Sequence, residues 1–194
     1  MKLHTSANLS AALLACCIFL RAAAPAGWFM AGSRPSNYET GTDPEISFGG
    51  HTAVYLKAKS ESGDASAFGT LMQQFVADQY RGKRVRFSGV VKSDQVKDWA
   101  GLWMRIDKGS TVVGFDNMQD RAIKSSSDWT SYSVVLDVPK DATGIAFGIL
   151  LAGGAGQVWL SNVSFEEVGT DIPVTGSGIG MRRDRPSNLD FEKR

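Results

Sequence analysis

Trp103 and Arg105 stand two positions apart in Gly101-Leu102-Trp103-Met104-Arg105-Ile106-Asp107. In an extended strand that spacing puts both on one face with Asp107, and puts Leu102, Met104 and Ile106 on the other. An indole offers an apolar plate against which the C–H face of a sugar can lie. Guanidinium, carboxylate and amide groups hydrogen-bond hydroxyls. Trp99, in the polar stretch Val96-Lys97-Asp98-Trp99, joins Gln73, Asp116 and Asn117 as further candidates. Together these six could bind a glycan or small polar ligand on one concave sheet face. The same residues also fit a second packed layer, with Trp103 under a loop and Arg105 paired to Asp107 or Asp116. Trp129 and Trp159 are expected in the core.

Other chemistry is poorly supplied. Past residue 26 the only imidazole is His51, and both cysteines, Cys16 and Cys17, lie before it. A triad needs a nucleophile, a base and an orienting acid, and no nucleophile-elbow pattern accompanies His51. Nothing in the spacing of the 20 acids selects a glycosidase pair. Gly176-Ser177-Gly178-Ile179-Gly180 resembles a phosphate loop in composition, but no strand precedes it and no helix follows. The expected chain is not an enzyme.

The elements that would position the candidates are short strands. From Gly49 onward apolar residues recur with period two, and turn signals interrupt every 8–12 residues. Strands are predicted over 51–57, 68–75, 84–92, 101–107, 111–115, 132–138, 144–151 and 157–168. The run 144–151 is apolar on both faces and should be central, and the last strand should carry a bulge near Asn162. No segment makes a convincing long amphipathic helix. The fold class expected is all-β, an antiparallel β-sandwich.

Composition agrees. The 194 residues are 43% hydrophobic and 21% charged, with 21 glycines lacking a collagen period. A formal net charge of +1 gives no electrostatic footprint for nucleic acid. At the N-terminus Lys2 precedes the apolar run Ala11–Leu20, and Ala24-Pro25-Ala26 fits a small-residue cleavage site. Ten helical residues rise about 15 Å, half of a bilayer core, so no membrane span is expected. Residues 1–26 are therefore expected to be a signal peptide, and the protein periplasmic or secreted. A lipoprotein anchored through Cys16 is the alternative. Cleavage takes the basic count from 21 to 19, against 20 acids. Gly169, Pro173, Gly176, Gly178 and Gly180 mark 169–187 as a flexible linker before a tail over 188–194.

Three stretches carry a resemblance: Tyr80–Gly89, Asp128–Tyr132 leading to Leu136-Asp137-Val138-Pro139, and Gly156–Glu166. They resemble the galactose-binding-like jelly rolls of bacterial carbohydrate-binding modules, over roughly residues 27–168. More narrowly, Gly27-Trp28-Phe29, Gly101–Arg105 and Phe115–Met118 look like a bacterial domain found alongside AraC-type transcriptional regulators. The resemblance implies a jelly roll and a non-catalytic binding function. Its alternatives are a structural domain with an envelope protein partner and a sensory domain linked to transcription. It also implies a possible structural calcium, for which Glu45, Glu166 and Glu192 are the candidate ligands. Such modules often open with an Asn-x-Asp/Gly-Phe-Glu strand. That pattern is missing before Gly27, but Asn188-Leu189-Asp190-Phe191-Glu192 could fill the edge-strand place.

Overall fold

The computed structural model describes residues 23–59 and 66–176. Nine antiparallel strands run in chain order: β1 (Phe29–Gly32), β2 (Tyr38–Phe48), β3 (His51–Ala58), β4 (Phe68–Val76), β5 (Arg84–Lys108), β6 (Thr111–Asp116), β7 (Ile123–Asp137), β8 (Gly144–Ala152) and β9 (Gln157–Val168). The hydrogen-bonded order is β1-β4-β8-β5-β9-β3-β2, with β6 and β7 also paired to β5.

β5 makes this one curled sheet into two layers. Its first half, Arg84–Asp94, pairs with β9 and β7, and its second half, Trp99–Asp107, pairs with β8; β6 adds to the Met104–Lys108 end. One layer is thus β2-β3-β9-β5-β7 and the other β1-β4-β8-β5-β6. The sequence suggests two strands here, split by a turn near Trp99. Instead the chain continues through three register shifts between Val91 and Ala100, with Gln95 at φ 50°. Bulges bend a strand without ending it, which lets β5 pass from one layer to the other. The turn before β9 seats against that bend. A Cβ on Gly156 (φ +95°) would lie 2.7 Å from the Gln95 carbonyl oxygen and the Val96 Cα, so only glycine fits.

The main core lies between the layers. Leu71, Leu102, Met104, Ile106, Phe147, Ile149 and Leu151 come from one; Leu56, Phe87, Val158 and Leu160 from the other. β8 is central, between β4 and β5 as its composition suggests, and β9 carries Asn162 at φ 48° opposite a register shift in β5. Two strands escape the sequence reading. β1 has only four residues, and β2 (Tyr-Glu-Thr-Gly-Thr-Asp-Pro-Glu-Ile-Ser-Phe) reads as polar because it is an edge. β7 begins at Ile123, nine residues before the predicted start, along a Ser-rich exposed stretch.

Residues 169–176, the start of the stretch expected as a linker, are held to the sandwich. Arg84 Nη1 donates to the Thr170 and Ile172 carbonyls at 2.9 and 2.6 Å, and Thr175 N–H donates to the Val135 carbonyl at 2.9 Å. The rest of that stretch, the 188–194 tail and most of the proposed signal peptide lie outside the described residues, as does Cys16. Among the described residues no helix is long and apolar enough to cross a membrane.

Candidate functional site

Every second residue of β4, β8 and the second half of β5 points away from the core. On this outer face Met72, Trp103, Ala146, Leu150 and Ala152 form a second, smaller apolar cluster, with Ala31, Trp99 and Phe115 packed against it. Above it opens a groove of about 490 Å³. Trp99, Trp103, Arg105 and Asn117 line it, so the fold gathers four of the six sequence candidates.

Each has a structural reason for its place. Trp103 is only 7% exposed, and its Nε1–H donates to Thr70 Oγ1 at 2.7 Å. The Thr70 hydroxyl in turn donates to the Ile149 carbonyl at 2.8 Å. That chain fixes the indole plane and satisfies a buried donor. Trp99 lies in β5 itself, opposite Ala152, and stays half-buried. Arg105 lies between Ala146 on β8 and Phe115 on β6. Its Nε–H donates to Asp107 Oδ2 at 3.1 Å, one of the pairings considered for it. Asn117 reaches the groove because the chain after β6 presses on β5. A Cβ at Gly101 would lie 2.9 Å from the Asn117 carbonyl oxygen. Asn117 Oδ1 accepts the Gln119 N–H at 3.2 Å.

Two candidates lie elsewhere. Asp116 alternates with Phe115 and Asn117, so it faces inward, 4% exposed. Its carboxylate accepts from Arg121 Nη1 and Nη2 at 3.1 and 2.6 Å, from the Met118 N–H at 2.8 Å and from Thr175 Oγ1 at 2.5 Å. Burial alone would raise its pKa, but Arg121, Thr175 and the Met118 amide outweigh that and hold it below the usual carboxylate value. Asp116 is a fastener beneath the groove, joining β6, the 3-10 turn Gln119–Arg121 and the segment after β9. Gln73 shares the core-facing register of Leu71 and Phe75. It lines a separate cleft of about 540 Å³ with Phe75, Tyr80, Phe147 and Phe165.

Groove residues absent from the sequence candidates include Phe68, Thr70, Met72, Phe115 and Leu150. Phe115 had only a partial signal. The two-residue connection Gly109-Ser110 closes a hairpin with Lys108 opposite Thr111, which alone would set Gly114 across from Arg105; a register shift between Ile106 and Asp107 puts Phe115 there instead. The β4 residues had none, because Phe-Gly-Thr-Leu-Met-Gln-Gln-Phe does not alternate cleanly.

Of the three calcium candidates, Glu45 and Glu166 lie among the described residues. Glu45 is exposed on β2 where its register with β3 shifts. Glu166 Oε1 accepts from Arg86 Nε and Nη2 at 3.1 and 2.8 Å. Glu192 lies outside the described residues. Among the described residues, no group of three or more His, Cys, Asp or Glu could hold a metal ion. His51 is exposed at the start of β3. Trp129 and Trp159, expected in the core, sit half-buried outside it on the other layer. Trp129 packs against Phe48 (ring centroids 5.5 Å apart), and Trp159 Nε1–H donates to Asp43 Oδ2 at 2.8 Å.

No family model matches the sequence. The chain is 43% identical over 169 residues to an uncharacterized HTH-type transcriptional regulator, YbfP, of Bacillus subtilis (strain 168). The match covers 86% of this chain but only 57% of that relative's length. Among solved structures, the CBM22-1 xylan-binding domain from Paenibacillus barcinonensis aligns with a TM-score of 0.54 at 12% identity, covering 75% of this chain and 88% of that one. The enzymatically active domain of tailspike protein 4 from bacteriophage CBA120 aligns with a TM-score of 0.52 at 15% identity, covering 74% and 20%. The fold is the antiparallel jelly-roll sandwich of carbohydrate-binding modules.

Proposed function

We propose that this chain is a non-catalytic binding domain whose groove takes a glycan or small polar ligand. The observation that carries this reading is the meeting of Trp99, Trp103 and Phe115 with Arg105 and Asn117 around one open groove of about 490 Å³. Flat apolar plates suit sugar C–H faces, and the guanidinium and amide suit hydroxyls. The xylan-binding role named for the Paenibacillus domain is in keeping with it. Export through residues 1–26, to the periplasm or the exterior, belongs to the same reading, with Cys16 lipidation as its variant.

A second reading rests on the Bacillus relative. In it this chain would be a sensory domain for a small ligand, in keeping with the name of that relative, an HTH-type transcriptional regulator of which this chain spans 57%. An envelope protein partner covering the aromatic face is the third.

The test is a glycan array with the full chain beside Trp99→Ala, with calcium and with chelator, together with cell fractionation. Expected are binding by the native chain, its loss in a still-folded Trp99→Ala, and no calcium dependence. Failure of the native chain to bind any glycan would overturn the glycan reading. A cytoplasmic chain that retains residues 1–26 would overturn export and favour the sensory reading.

A further inference from the structure

Among the described residues, the lining of the groove contains one charged residue, Arg105, and no carboxylate. Its neighbours across the sheet, Ala146 and Phe115, bring no charge. Asp107 contacts Arg105 only at Nε, 3.0 Å from Oδ1 and 3.1 Å from Oδ2, and itself lines a different depression with Gln74 and Thr143. Among the described residues Nη1 and Nη2 make no hydrogen bond. A guanidinium engaged only through Nε keeps its terminal pair of nitrogens, whose parallel N–H groups match the two oxygens of a carboxylate. The Asp107 contact also orients the fork. Apolar plates flank it, Trp103 two residues back on the same strand and Phe115 across from it.

We propose that the groove selects acidic sugars. A uronic-acid residue would set its carboxylate on Nη1 and Nη2 of Arg105 and its ring C–H face against the neighbouring aromatic side chains. This rests on the glycan reading of the same groove. A neutral glycan would offer the terminal nitrogens hydroxyl oxygens alone, without the opposite charge that strengthens the contact. The Arg105 side chain is 41% exposed, so the preference is sensitive to salt.

The experiment is titration calorimetry on the full chain with matched pairs. One pair is tetragalacturonic acid and its methyl ester; the other is xylotetraose with and without a glucuronic-acid branch. Each is measured at about 50 mM and about 1 M NaCl, between which the screening length falls severalfold. Expected is a preference for the acid of about tenfold or more at low salt, roughly 1.4 kcal/mol. It should shrink at high salt and vanish in Arg105→Gln, because the variant weakens the acid partner by more than it weakens the neutral one. Equal affinity for acid and neutral partners, or a preference that persists in folded Arg105→Gln, overturns the acidic selectivity and leaves glycan binding intact. Binding of no probe overturns both. If Arg105→Gln does not fold, the salt series on the native chain decides, and a preference unchanged by salt overturns the proposal.

Discussion

The two outer faces of this sandwich carry aromatic residues to opposite ends. On the β2-β3-β9-β5-β7 layer, Trp159 is tied to Asp43 and Trp129 is packed against Phe48, both partners coming from the long edge strand β2. On the β1-β4-β8-β5-β6 layer the edges are the four-residue β1 and the six-residue β6. Trp103 finds its partner, Thr70, within the sheet, and the space above stays open as the groove. The same residue type fills space on one face and lines it on the other. The length of the neighbouring edge strand makes the difference, since an eleven-residue strand can bring covering side chains that a four-residue strand lacks.

That contrast can be broken by substitution. The largest effect is expected beneath the groove. Asp116→Ala leaves the half-buried Arg121 without its main partner and unties Thr175 and the Met118 amide, and should cost about 2–4 kcal/mol in urea unfolding. Because the folded-state pKa of Asp116 is depressed, its stabilisation is present above the unfolded carboxylate value of about 3.9 and is lost as pH falls through the folded value. The stability gap between the native chain and Asp116→Asn should therefore narrow below about pH 4, and a gap constant across that range would contradict the burial of a charged Asp116.

Next comes Trp103→Phe, which removes the donor to Thr70 and part of the second apolar cluster. About 1–3 kcal/mol should be lost, read as a lowered unfolding midpoint. Trp159→Phe loses only the half-buried bond to Asp43, about 1 kcal/mol, and should leave ligand affinity unchanged. Trp99→Ala should cost about 1 kcal/mol, since the half-buried indole packs against the second apolar cluster, while weakening ligand binding by about tenfold or more. The last two sharpen the comparison together: if Trp159→Phe weakens binding as much as Trp99→Ala, the two faces do not differ in function.

Much of the fold was legible because the chain obeys period two wherever one face is buried. Leu102, Met104 and Ile106 declared the core side of β5, and Trp103 and Arg105 declared its outer side. Where both faces are polar or half-polar the signal fails, as at β2 and the start of β7. The candidate site shows the same limit. Asn117 and Asp116 are adjacent and were grouped, yet one backbone step puts one in the groove and the other beneath it. Gln73 was lost to the groove for the same reason, since its neighbour Met72 took the outward register.

The sequence by itself determined an antiparallel β-sandwich, with β8 at its centre and an indole and a guanidinium on one strand face. These follow from local alternation and turn residues, which act over a few positions of chain. Tertiary structure alone decided that β5 runs unbroken from one layer to the other, that Asp116 is a buried fastener and that the Trp103 face is open while the Trp129 and Trp159 face is occupied. Each of those depends on pairings between segments far apart in sequence, where strand length and register set which side chains meet.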